Sequence, residues 1–470
     1  MRHIGVVSVH RPPSGKRITD ELLVGFESHV EQTWRPILLD QIRMLQEART
    51  PQGFANLHTD LLARFAARQD VASERRASRS DLQAEQQKIS QQAPKPKEQL
   101  RELQGLIRSL DELDFRDGVL QHVARCVADG MVWRLVGADR RALAILGDRS
   151  RVGRLPDAAG FAAERAQIEA HAAAGRLAIH NDLTNCLREG DLTVLGPEWP
   201  PRTIRLQEVK ARAGVSSKLG PDDRLTRQAN RLDRKLKILR DNYDPDAASG
   251  AGVRLLRLPV LYRTHLHALD AVLQRARTGG HASEVVSDGV LVSAVDYTTV
   301  GDVRELGYWQ RDDPVAAWGP LATDRRVQGS TFVQRYEDRR RDHRNYQAVA
   351  PVSLLPLHPE EITDVLLGRV DVCVTYRFDA IEAALASRGI EARCAGPDAW
   401  NERLLVAERG EATVTVPPHF GQQFTQELMT IETLADVVET LIELASSGQA
   451  AKEWHMVFCD EREAWPGLVR

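Results

Sequence analysis

The sequence has no apolar run of the ~18–20 residues that a membrane-spanning helix needs, so no membrane partner is expected. Its cysteines are few and unpaired. Cys126, Cys186, Cys373, Cys394 and Cys459 are scattered, odd in number and form no CxxC pair. That pattern suits free thiols in a reducing cytoplasm and argues against a disulfide framework or a structural zinc site. Cys186 reads as a small buried filler. Charge of one sign is also missing. Lys and Arg number 63 against 66 Asp and Glu, for a net charge of −3. This excludes a uniformly basic coat for nucleic acid, and any such surface must be local. The glycine-rich phosphate loops GxxxxGK[ST] and GxGxxG and the GxSxG elbow are absent, which excludes an ATP-driven motor of the usual kind. Met1–His10 is too short and punctuated for a signal peptide, and Pro12 and Pro13 follow, so a cytoplasmic chain is expected.

What is present is enough apolar material for sizeable cores, 42% of 470 residues, and length for two to four domains. Residues 1–115 form a helical N-terminal region. Trp34, Ile37, Leu38, Ile42 and Leu45 repeat at helical spacing, as do Leu57, Leu61, Leu62 and Phe65. Residues 67–113 suggest a helical arm with its tip near Pro94 and Pro96, because proline ends a helix. The arm is expected to pack on the next domain or on a second copy of the chain, the alternative being an arm that grips DNA or a protein partner. Residues 116–300 are expected to form a central α/β domain with a mixed sheet flanked by helices. Helices are expected at 119–127, 139–146, 158–174, 222–241 and 267–277. Short strands are expected at 177–180, 192–195, 203–209, 255–261 and 289–295. Residues 301–470 read as an α/β C-terminal domain, entered through a loop-rich stretch at 311–347. The spacing there predicts strands at 370–375, 390–394, 412–416 and 454–458, with helices at 379–388 and 433–444.

Chemistry concentrates in residues 158–240. Gly190-Asp191 opens one short strand, a turn rich in proline follows, and Glu208-Val209-Lys210 ends the next strand. Residues two apart on a strand share a face, so Glu208 and Lys210 would lie together while Val209 faces a core. An antiparallel pairing of the two strands would bring Asp191 opposite that end. Two carboxylates are hard oxygen ligands suited to Mg²⁺ or Mn²⁺. A metal held there polarises a phosphodiester, and an adjacent lysine can orient or activate water. Asp182, in the polar cluster Asn181, Asp182, Thr184 and Asn185, is a further metal-ligand candidate, although a turn needs such residues for its own sake. His265-x-His267 reads as ordinary surface or capping histidine.

This arrangement resembles the PD-(D/E)xK nuclease superfamily, whose restriction-endonuclease-like fold would then be expected for the central domain. The matching residues are Asp191, Glu208, Val209 and Lys210. The resemblance implies that Glu164, on the preceding helix, and Gln228, on the following one, assist the catalytic residues. Gly190 stands where the proline of the family's name would be. The resemblance implies a metal-dependent phosphodiesterase leaving 5′-phosphate and 3′-hydroxyl ends.

A local basic excess accompanies the motif. From Arg202 to Arg240, twelve basic residues stand against four acids. Arg224, Arg227, Arg231 and Arg234 are three or four apart and fall in one helical row, and Arg212 and Lys218 precede them. Such a patch suits the phosphate backbone of DNA, with RNA an equal chemical fit. The expectation is an Mg²⁺-dependent endonuclease, with an effector role in bacterial genome (antiviral) defence suggested by the large flanking regions. The alternative is a catalytically inactive nuclease fold that binds DNA or protein within a larger complex.

Overall fold

A computed structural model describes residues 30–92, 96–147, 158–187, 190–196, 204–207, 209, 221–244, 253–300, 331–335, 350–395, 404–416, 424, 427–447 and 454–460. Helix α1 (Arg35–Glu47) buries Leu38, Ile42 and Leu45, one stripe at helical spacing. Helix α2 (Pro51–Ser90) starts where the Thr50 side chain accepts the Gly53 N–H, with Pro51 at a position that needs no N–H of its own. Its first half buries Phe54, Leu57, Leu61, Leu62 and Phe65.

Helix α3 (Lys97–Leu135) returns antiparallel to α2. The direction is legible in the ion pairs: Arg68 meets Asp117 at 2.9 Å and Arg79 meets Asp111 at 3.0 Å. Arg75 lies between them, against Asp117 and Asp114. The helical arm is therefore present, but residues 119–127 are not a separate helix. They continue α3 through Gly118, whose cost of about 1 kcal/mol in a helix is outweighed by packing of Leu120, Val123, Ala124 and Val127.

After α4 (Arg140–Leu146) come α5 (Ala158–Ala173) and the antiparallel strands β1 (Leu177–His180), β2 (Leu192–Leu195) and β3 (Ile204–Gln207). Gly175, at φ +70°, closes α5, and the Arg176 N–H reaches back to the His171 carbonyl at 2.9 Å. The register aligns His180 with Leu192 and Leu192 with Gln207. One face of this sheet, with Ala178, Leu192 and Val194, packs on Ile168 of α5. The other, with Leu177, Ile179 and Leu195, joins the main core along with Phe54 and Leu57 of α2. Each fully buried aliphatic side chain there stabilises the fold by roughly 1.5–3 kcal/mol.

Helix α6 (Pro221–Asp241) buries Ile238 against Ile145 of α4. Strand β5 (Val253–Leu261) lies between β4 (Tyr243–Asp244), antiparallel, and β13 (Trp454–Asp460), parallel. Helix α7 (Leu266–Gly279) covers β6 (His281–Ser287) and β7 (Val290–Asp296). Strand β7 pairs with β9 (Val370–Arg377), so strands from both sides of residue 300 share sheets. Strand β8 (Thr331–Arg335) also pairs with β9, which places a strand inside the stretch expected to be loop-rich; the rest of 311–347 lies outside the described residues. Helices α8 (Pro359–Leu366) and α9 (Phe378–Ala386) flank β9. Strands β10 (Glu391–Ala395), β11 (Leu404–Arg409) and β12 (Ala412–Val416) form a further antiparallel sheet. Helix α10 (Ile431–Ser446) packs on β12 and β5.

The architecture is mixed α/β, and buried side chains from Trp34 to Ile442 belong to one continuous apolar core. Within it sits a polar knot. Glu427 accepts both an Arg140 guanidinium nitrogen, at 2.6 and 2.7 Å, and the Ala350 N–H at 2.6 Å. The Tyr262 hydroxyl donates to the same carboxylate. Arg140 also stacks on Trp133, 4.7 Å from the ring centre.

Candidate functional site

The β1–β2–β3 sheet brings the ends of β1 and β3 and the start of β2 to one edge. Asp191 stands at that edge, immediately before β2. Its N–H donates to the Gln207 carbonyl at 3.0 Å, and its carbonyl accepts the Asn181 N–H at 3.0 Å. Its side-chain Oδ2 accepts the Val209 N–H at 2.6 Å. The residue is thus held by strand partners on both sides. Because the Val209 amide lies inside the Glu208-Val209-Lys210 segment, the antiparallel hairpin expected from the sequence does bring Asp191 to that segment. Val209 itself packs against the cluster of Ala178, Leu192 and Val194, as the alternation of strand side chains requires. The side chains of Glu208 and Lys210 lie outside the described residues.

The backbone at Gly190 excludes proline. Its φ is +75°, a left-handed conformation that proline, fixed near −65°, cannot adopt. A Cβ at this position would also stand 3.1 Å from the Gln207 carbonyl oxygen. The close approach of the two strands at the edge therefore favours glycine on two counts.

Glu164 is buried on α5, with its Oε2 2.5 Å from Nε2 of His180, the last residue of β1. The carboxylate lies against the imidazole, and neither of these two atoms has a hydrogen-bond partner among the described residues. His180 is in turn tied to the helical region: its N–H donates to Nε2 of His58 on α2 at 3.0 Å. Burial, and then the neighbouring His180, push the His58 pKa down to about 3. A neutral ring is the form that can accept this bond. Gln207 is fixed from α5 as well, by His171 at 2.7 Å and Gln167 at 3.2 Å.

The polar run 181–185 is built as a loop. The Thr184 hydroxyl donates to the Asn181 carbonyl at 3.0 Å and accepts the Leu187 N–H at 3.0 Å. The Asp129 carboxylate on α3 receives the Asn185 N–H at 2.6 Å and the Cys186 N–H at 3.0 Å. Asp182 is half-buried, and Arg125 donates to its carbonyl at 3.1 Å. These bonds build the turn from Asn181, Thr184 and Asn185, and Asp182 is held in it through its carbonyl. Cys186 is buried, as expected. His265 is buried with Nε2 3.1 Å from the Ser287 hydroxyl, and burial, then His267, hold its pKa down against the pull of Glu432.

The backbone of α6 carries the basic row. Arg234 is exposed, and the side chains of Arg224, Arg227, Arg231 and Gln228 lie outside the described residues, as do Arg212 and Lys218. Among the described residues, no group of three or more His, Cys, Asp and Glu side chains is placed to hold a metal ion. The donor chemistry at the edge still suits a hard cation. A carboxylate that gives one oxygen to an amide keeps lone pairs for further partners, and the next acid in the pattern is Glu208.

Sequence reasoning missed His58 and His180, and it placed Asn181 only in a polar, turn-forming cluster. The only local signal was a His-Asn pair closing an apolar run; His58 lies 122 positions from the backbone N–H it accepts. Compared with known proteins, the chain matches no family model, no curated protein and no solved structure.

Among the described residues, no helix is long and apolar enough to cross a membrane.

Proposed function

We propose that the chain is a metal-dependent nuclease that hydrolyses phosphodiester bonds, with DNA as its substrate, working at the edge formed by Asp191, Glu208 and Lys210. The observation that carries this reading is the Asp191 carboxylate seated on the Val209 amide, between the acid and the lysine of the motif. The antiparallel β1–β2–β3 order, with α5 across one face, supports the restriction-endonuclease-like arrangement for this part of the chain.

In this reading Asp191 and Glu208 hold Mg²⁺ or Mn²⁺, which when bound stabilises charge developing on the phosphate. Lys210 orients the attacking water. The row on α6, of which Arg234 is exposed, contacts the phosphate backbone. Glu164 assists from α5, where its buried carboxylate lies beside His180. A cytoplasmic role cutting foreign or host DNA in bacterial defence belongs to this proposal by analogy of architecture alone, from the large regions that flank the sheet.

The test is cleavage of supercoiled plasmid with Mg²⁺ or Mn²⁺, comparing wild type with Asp191→Ala and Lys210→Ala. Nicked or linear product from wild type, lost in both variants and in chelator, is expected. Equal behaviour of all three chains would sink the proposal and favour a binding subunit.

A further inference from the structure

We infer that Asn181 is the positioning residue for the Asp191 carboxylate, an inference that rests on the metal site just proposed. Asn181 is buried at 3% exposure and sits where β1 ends. Its side-chain amide donates to the Gly190 carbonyl at 3.0 Å, and its side-chain oxygen accepts the Thr193 hydroxyl at 2.8 Å. Its main-chain N–H binds the Asp191 carbonyl. One residue thus grips the chain immediately before, at and two residues after Asp191.

This grip answers a mechanical need. Gly190 lacks a side chain and lies in a region of backbone space where glycine has unusual freedom. Without an external tie, the peptide between Gly190 and Asp191 could rotate and carry the carboxylate off the Val209 amide. Strand β3 holds Asp191 through Gln207 from one side, and Asn181 holds it from the other. The Thr193 hydroxyl fixes which way the Asn181 amide faces, so its N–H₂ group meets the Gly190 oxygen. Partners that orient a metal ligand typically affect metal affinity by ~10–100-fold when removed.

The test measures Mn²⁺ binding to the full chain by titration calorimetry, without nucleic acid. Asn181→Ala should weaken binding by ~10–100-fold. Thr193→Val, which keeps the shape but removes the hydroxyl, should weaken it several-fold, and Thr193→Ser should restore it. Ile179→Val, a core change on β1, should leave affinity unchanged even where it lowers the melting temperature. If Asn181→Ala fails to fold, the Thr193 pair decides. Unchanged affinity in Asn181→Ala and Thr193→Val, or equal weakening in Thr193→Ser and Thr193→Val, would overturn the inference while leaving the nuclease reading intact. No Mn²⁺ binding by wild type, or binding that survives in Asp191→Asn, would overturn the metal site itself and this inference with it.

Discussion

The Asp191 carboxylate accepts the Val209 N–H at 2.6 Å, across the end of the β2–β3 pair. Asparagine in place of Asp191 keeps an oxygen for that N–H and loses the charge. Asp191→Asn should therefore fold normally, with an unchanged circular dichroism spectrum, while the proposed Mg²⁺-dependent cleavage falls by more than about 10²-fold. Retained cleavage would remove Asp191 from the proposed metal site.

Gly190 tolerates little. At φ +75° an alanine pays the left-handed strain of about 1–2 kcal/mol and meets the Gln207 carbonyl besides. Gly190→Ala should lower stability by at least that amount in urea unfolding. Gly190→Pro should be worse, because its ring excludes the conformation outright. A proline variant as stable as wild type would contradict the left-handed turn at Gly190.

His58 makes stability depend on pH. Its folded pKa is pushed from 6.5 to about 3, so the unfolded chain binds a proton that the folded chain refuses. The contribution is fully present above about pH 6.5 and is lost as pH falls toward 3, at roughly 1.4 kcal/mol per unit. Between pH 7 and 5, wild type should lose about 2 kcal/mol more stability than His58→Gln, measured by urea unfolding. Parallel losses in the two chains would mean that the ring titrates normally.

The Arg140–Glu427 pair is almost wholly buried, with side-chain exposures of 2% and 0%. Removing one charge strands the other, so Glu427→Gln should cost about 3–5 kcal/mol. The double variant Arg140→Met, Glu427→Leu should cost less than the sum of the single losses, because no uncompensated charge remains. Additive losses would show that the two side chains act independently.

The outer ladder of the helical arm should matter far less. Arg79 and Asp111 are each more than a third exposed, and solvent screens their pairing. Arg79→Ala should change stability by less than about 1 kcal/mol, whereas Asp117→Ala, which strips a buried partner from both Arg68 and Arg75, should cost more. The comparison is a single pair of melting curves.

Much of the central sheet was legible in the chain. Leu177–His180 and Leu192–Leu195 are short runs of strand-forming residues bounded by Gly175, Gly190 and proline, and both form as expected. Helix α5 was equally clear from its alanines and Gly175. The continuity of α3 was hidden, because Arg116-Asp117-Gly118 reads as a break until α2 supplies Arg68 and Arg75 to Asp117. Strand β6 was also hidden. Its sequence, His281–Ser287, has no clear alternation, and pairing with the wholly buried β7 imposes its form.

The sequence by itself determined the periodic elements and the order of Asp191, Glu208 and Lys210, because side-chain spacing and backbone preference are local properties. Only the tertiary structure decided that Glu164 faces His180, that His58 receives the β1 backbone, and that Asn181 grips both sides of Asp191. Those contacts join residues up to 122 positions apart, and burial selects them by removing water as the competing partner. A linear pattern carries no record of that competition.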